Sequence, residues 1–244
     1  MNVTLICLPF AGGAAAVYRG WAALLPAWIR LQTIELPGHG SRRAEPALQH
    51  WPELTDALVR EAMHAVDGPF AIFGHSMGAL AGLELAHALR ERRGVAPVWL
   101  GASACVAPAR RELAEAWLDC PRDDMITELR RLGGTPAELL GDDEFVDFVL
   151  PTLRADFHLC GTYAARADQS RPALDCPFLV LAGRDDPISA DARNLTAWSE
   201  ESNGTCTQRM FDGGHFFIER SRQQVVETIV ASLHHVLEVD AWTF

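Results

Sequence analysis

Apolar residues along this chain follow two alternating rhythms. Short strand-like runs occur at Val3–Leu8, Leu31–Leu36, Phe70–Gly74, Val98–Ser103, Phe178–Ala182 and Thr207–Phe211. Each is the length of a strand, and Phe70–Gly74 is apolar enough to be buried on both faces. Between them, apolar residues recur every three or four positions at Ala15–Leu25, Pro52–Val66, Ala79–Arg92, Asp191–Ser199 and Arg220–Leu237, which predicts helices. Strand alternating with helix implies an α/β fold, a mostly parallel sheet with helices on both faces.

The alternation breaks once. From Ala107 to Pro172 no strand pattern occurs; helical stretches at Arg111–Leu118, Asp123–Leu132 and Asp143–Leu159 are punctuated by Pro121, Gly133-Gly134, Pro136 and Pro151. A helical insertion between two strands of an open sheet reads as a lid over the strands' C-terminal ends, where ligands bind in such folds. The expected division is a core of residues 1–106 and 173–244 with a helical lid, residues 107–172.

Composition narrows the class. The chain has 244 residues, 49% of them hydrophobic, yet no run approaches the ~18 apolar residues a membrane span needs. The N-terminus enters the first strand with no secretory pattern. Six scattered cysteines suggest neither a metal knuckle nor a redox pair, so a cytoplasmic, reduced protein is expected. A formal net charge of −11, with arginine supplying all 21 basic residues, argues against nucleic acid or an anionic membrane as partner.

The candidate chemistry starts at Gly74-His75-Ser76-Met77-Gly78. It sits between a predicted strand and a predicted helix, where a sharp turn lifts a serine hydroxyl clear of the backbone. Such a hydroxyl needs a base, normally a histidine oriented by a carboxylate. In this kind of fold the chain order is serine, acid, histidine. Asp186, in the loop Gly183-Arg184-Asp185-Asp186-Pro187 after a strand, is the candidate acid, with Asp185 the runner-up. His215, in Gly213-Gly214-His215 after the last strand, is the candidate base. The oxyanion would take backbone N–H groups from Met77 and from the loop Pro9-Phe10-Ala11-Gly12-Gly13, with Ala11 preferred and Phe10 the alternative. That loop lacks the lysine of a phosphate-binding loop. His75 is expected to shape the elbow, and His39, between glycines, is a candidate border of the site. His50, His64, His87, His158, His234 and His235 fall on predicted helices as surface or packing residues. No metal or cofactor is expected.

The motifs extend beyond these positions. Leu8-Pro9-Phe10-Ala11-Gly12-Gly13 with Tyr18 and Trp21, Leu36-Pro37-Gly38-His39-Gly40 with Arg42, Leu153-Arg154-Ala155-Asp156-Phe157 with Tyr163, and Trp198 join the three triad segments. Together they resemble the type II thioesterases, α/β-hydrolases that edit nonribosomal peptide and polyketide synthases. The resemblance implies hydrolysis of misprimed or stalled acyl and aminoacyl groups from the phosphopantetheine thioester of a carrier protein. It implies no cofactor, and nothing in the sequence requires more than a monomer. Docking to a carrier would draw on a basic patch near the lid, with Arg42-Arg43, Arg90/Arg92/Arg93, Arg110-Arg111 and Arg130-Arg131 as candidates. The rival readings are a small-molecule carboxylesterase, a product-releasing thioesterase domain and an inactive carrier-binding protein.

Overall fold

A computed structural model describes residues 2–114, 117–163 and 171–241. Six strands, β1 (Val3–Leu8), β2 (Ile29–Thr33), β3 (Phe70–His75), β4 (Trp99–Ser103), β5 (Phe178–Gly183) and β6 (Cys206–Phe211), form one sheet in the order β2-β1-β3-β4-β5-β6. All five pairings are parallel. The chain runs outward from β1 to β2 and then crosses back to β3. The C-terminal ends of β1 and β3 therefore flank the point where strand order reverses, the usual place for a ligand crevice.

Alternating side chains divide between two cores, as the two-residue strand period requires. Ile6, Leu8, Ile72, Leu100 and Val180 face α1 (Trp51–Ala62) and α2 (Met77–Arg93). Leu5, Cys7, Phe73, Trp99 and Leu181 face the other way, onto Tyr18, Trp21 and the terminal helix with Val225, Val226, Ile229 and Leu233. Helix α2 is buried from Met77 to Leu89, and every residue of β3 is buried as well.

Between β4 and β5 lie α3 (Arg122–Leu132), α4 (Ala137–Leu140) and α5 (Asp143–Thr162). The Asp142 carboxylate caps α5 by accepting from the Phe145 amide at 3.1 Å. This segment has its own small core of Met125, Ile126, Leu129, Val146, Leu150 and Leu153. It is tied to the sheet layer by the Trp51 indole, which donates to the Leu159 carbonyl at 2.8 Å. After β5 come α6 (Ala192–Thr196), then α7 (Phe217–Arg220) and α8 (Arg222–Ala241) beyond β6.

Several expected boundaries differ. Ala15–Leu25 is one 3₁₀ turn at Ala15–Tyr18 followed by further turns, not a helix. Its apolar spacing comes from Tyr18 and Trp21, which insert into the sheet face. The second strand ends at Thr33 rather than Leu36, the chain leaving the sheet edge ahead of Pro37. The described part of Arg111–Leu118 is not helical. Ala114 N–H donates to the Gly161 carbonyl on α5 instead of to its own turn. Asp191–Ser199 divides into α6 and a 3₁₀ turn at Ala197–Glu201. Pro136 starts the unforeseen helix α4.

Candidate active site

Between the last residue of β3 and the first of α2 stands Ser76 alone, with φ 55° and ψ −118°. A side chain held in that region is strained and persists only because the surroundings enforce it. The flanking glycines make the turn possible. A Cβ on Gly74 would lie 1.9 Å from the Gly78 carbonyl oxygen, and one on Gly78 would lie 2.2 Å from that of Leu8. The Ser76 amide donates to the Ser103 carbonyl at 2.7 Å, which ties the elbow to β4.

Two loops meet this hydroxyl. His215 Nε2 lies 2.9 Å from Ser76 Oγ, and His215 Nδ1 lies 3.0 Å from Asp186 Oδ2. Since a carboxylate only accepts, Nδ1 carries the proton and Nε2 is left to accept from the serine. Asp186 Oδ1 also accepts from the Ile188 amide at 2.9 Å, and Oδ2 from the Ser189 hydroxyl. Burial raises the Asp186 carboxyl, but His215, Ser189 and Ile188 together outweigh it and hold the group below its ordinary value. Asp185 is exposed, its amide donating to Gly213 O at 3.0 Å. Only Asp186 reaches the imidazole.

The amides near the hydroxyl separate by what they already bind. In the loop after β1, Gly12 N–H donates to Asp156 Oδ2 at 2.6 Å and Gly13 N–H to the Phe10 carbonyl at 2.8 Å. Among the described residues, the amides of Phe10, Ala11 and Met77 donate to no protein acceptor. Phe10, Ala11, Met77, Ser76 and His215 all line one cavity of about 630 Å³. Its walls are mostly apolar, with Leu129, Phe145, Phe148 and Val149 contributed by the helices between β4 and β5. That volume falls in the range of small-molecule sites.

His75 is fully buried, with Nδ1 2.9 Å from Ser103 Oγ. Burial, and then the neighbouring His215, hold its pKa well below the usual value. A neutral ring thus packs behind His215, at 5.5 Å between centroids. Cys105 and Cys160 line the cavity too. Burial pushes their thiols up to about 11 and about 12, so neither supplies a thiolate at neutral pH. His39 does border the cavity, and its ring is bound to Asp156, a carboxylate 117 positions away. The sequence motif included Asp156 but gave it no partner. The available signal was a lone acid beside Leu153 and Ala155 on a predicted helix. His64 lies in a turn just after α1, and His87 is buried on α2.

The arginine pairs differ sharply. Arg42 is bound to Glu45 and Glu61, Arg92 to Asp56 and Arg131 to Glu128. Arg111 donates to the Cys160 carbonyl and Arg90 to the carbonyls of Pro172 and Ala173. Exposed Arg43 lines the cavity, with its guanidinium 4.7 Å above the Phe148 ring and no ion-pair partner among the described residues.

A parallel sheet with a strained serine at the turn after its central strand is the architecture of an α/β-hydrolase. A family model described as a thioesterase domain matches residues 3–233. The chain is similar to gramicidin S biosynthesis protein GrsT of Aneurinibacillus migulanus, at 35% identity over 236 residues covering 97% of this chain and 91% of that protein. It is also similar to thioesterase PikA5 of Streptomyces venezuelae, at 35% identity covering 93% of this chain and 79% of that one. The structure of the type II thioesterase BorB from the borrelidin biosynthetic cluster matches with a TM-score of 0.84 at 35% identity, covering 97% of this chain and 93% of that one. The chain belongs to the thioesterase family. Its homologues include type II thioesterases of secondary-metabolite pathways.

Proposed function

We propose that this protein is an editing serine thioesterase, which removes misprimed or stalled acyl and aminoacyl groups from the phosphopantetheine thiol of carrier proteins. The observation that carries the reading is the unbroken chain from Ser76 Oγ through His215 to Asp186, at 2.9 and 3.0 Å. Ser76 Oγ attacks the thioester carbonyl carbon while His215 Nε2 takes the hydroxyl proton. The carboxylate of Asp186 steadies the imidazolium, and the amides of Met77 and Ala11, with Phe10 as alternative, receive the oxyanion. Collapse of the tetrahedral adduct breaks the C–S bond, and the sulfur leaves as a thiol carrying the proton from His215. A water then attacks the acyl-serine, giving its proton to His215, which returns one to Ser76 Oγ as the free acid departs. These steps call on no metal or cofactor.

The helices between β4 and β5 act in this reading as a lid that shapes the acyl pocket, supported by the side chains they contribute to the cavity wall. Arg43 is the cation best placed to meet an anionic partner at the mouth. Among the described residues no helix is long and apolar enough to cross a membrane. All six cysteines are free thiols, which supports a cytoplasmic location.

The test is hydrolysis of one carrier protein loaded in turn with acetyl, aminoacyl and long-chain groups, alongside p-nitrophenyl esters of the same acids. Faster turnover on the carrier, abolished in Ser76→Ala, is expected. Turnover confined to the free esters would replace this reading with a small-molecule carboxylesterase.

A further inference from the structure

The Asp156 carboxylate is 2% exposed, and a single oxygen, Oδ2, receives two donors. One is the Gly12 amide at 2.6 Å and the other is His39 Nε2 at 2.7 Å. The second ring nitrogen of His39, Nδ1, lies 3.0 Å from the Pro37 carbonyl oxygen. A carbonyl cannot donate, so Nδ1 carries a proton. A carboxylate only accepts, so Nε2 carries the proton in its hydrogen bond to Oδ2. His39 is thus an imidazolium, buried and paired with one carboxylate.

This pair sits against the loop that supplies the candidate oxyanion amides. Gly12 directly follows Phe10 and Ala11, and its φ of +73° is a conformation that side chains resist. Leu153, three residues before Asp156 and so on the same face of α5, presses on the same glycine. A Cβ on Gly12 would lie 2.6 Å from Leu153 Cδ2. One face of α5 thereby fixes Gly12 by contact and by hydrogen bond.

We propose that His39 and Asp156 are positioning residues, an imidazolium–carboxylate clamp that holds Gly12 and so aims the Phe10 and Ala11 amides at the acyl oxygen. The inference rests on Ser76 acting through an oxyanion intermediate, as proposed above, but the clamp's charge state does not depend on it. Burial lowers the His39 pKa, yet the Asp156 hydrogen bond and charge, Pro37 and the nearby Glu35 outweigh that and raise it above the ordinary histidine value. Asp156 on α5 and Glu35 after β2 are the charged groups acting on the ring. A raised value means the clamp is complete below the ordinary histidine pKa and is lost as pH climbs through the folded one.

The experiment compares full-length wild type with Asp156→Ala, Asp156→Asn and His39→Gln. Losing one oxyanion donor outright costs about 10²–10³ in kcat. A loosened donor in Asp156→Ala is therefore expected to lose roughly 10–100-fold in kcat, with KM nearly unchanged. The asparagine variant keeps an acceptor for both donors and removes the charge. It should hold most of its kcat in mild acid while its alkaline limb moves to lower pH, a shift that general loosening of the fold would not produce. Long-range ¹H–¹⁵N spectra followed across pH, assigned by loss of signal in His39→Gln, should show both His39 nitrogens staying protonated to higher pH than in an ordinary histidine, and losing a proton at lower pH in Asp156→Asn. A wild-type His39 that loses its proton at or below the ordinary histidine pKa, or superimposable pH profiles for wild type and Asp156→Asn, would overturn the clamp. Fluorophosphonate labelling of Ser76 needs no thioester. Labelling slowed in Asp156→Ala, in a protein that hydrolyses no carrier thioester, would sink the substrate reading and leave the clamp standing.

Discussion

The sheet with its two flanking layers and the helical segment between β4 and β5 build the same cavity with very different packing. Along the central strands, Ile6, Leu8, Ile72, Phe73 and Leu100 are completely buried, and a side chain on Gly74 or Gly78 would run into backbone. In the helical segment, Leu129 and Leu150 sit at 9% and 8% exposure and Phe148 at 58%, and α5 carries Pro151 within it. The proposed triad of Ser76, His215 and Asp186 hangs from the first region. Much of the apolar cavity wall comes from the second. The two regions meet at Gly12, where Leu153 and Asp156 of α5 bear on the loop after β1.

Substitutions on each side of that divide should behave differently. The largest effect is expected from Ser76→Ala, which removes the proposed nucleophile while leaving the elbow intact. Turnover of an acyl-carrier thioester should fall on the order of 10⁴–10⁶-fold with an unchanged melting curve. Gly74→Ala drives a methyl into the Gly78 carbonyl, and loss of soluble, cooperatively folding protein is expected, read by circular dichroism during heating.

Paired truncations measure the contrast directly. Leu100→Ala, in the sheet, should cost about 3–5 kcal/mol by chemical denaturation, at the upper end for such cavities, whereas Leu150→Ala should cost nearer 2 kcal/mol. Equal costs would show that the helical segment packs as tightly as the sheet. Acid probes the hydrogen-bonded rim. A carboxyl held below its unfolded value stabilises the fold above that value, near ~3.9, and the contribution disappears as pH falls through the lower folded one. Wild type should therefore lose more stability than Asp186→Asn between neutral pH and pH ~3, measured by denaturant midpoints. Smallest of all, Arg43→Glu should raise KM for a carrier-bound acyl group several-fold and leave hydrolysis of a small soluble thioester unchanged. If both substrates slow together, Arg43 acts on the chemistry rather than on docking.

Legibility in the sequence followed the same divide. The four central strands were readable because each is a run of residues buried on both faces, and the Ser76 turn because glycines flank it between a strand and a helix. Ala15–Leu25 misled because Tyr18 and Trp21 have helical spacing while turning inward from successive turns. Arg111–Leu118 misled because its backbone finds an acceptor on α5, which local periodicity cannot reveal. Helix α2 reads as one-sided, yet Glu84 and His87 are buried on it. Tyr163 and Arg171 supply the partners of Glu84 from far along the chain.

By itself the sequence determined the parallel α/β plan, the elbow at Ser76 and the candidacy of Asp186 and His215, since local periodicity, turn chemistry and chain order are all written in one dimension. Only the tertiary structure decided that Asp186 rather than Asp185 meets the imidazole, that Gly12 and Gly13 have no free amide, and that His39 is bound to Asp156. Those outcomes depend on which donors and acceptors converge once loops from different strands share one edge of the sheet, and convergence of that kind leaves no periodic trace along the chain.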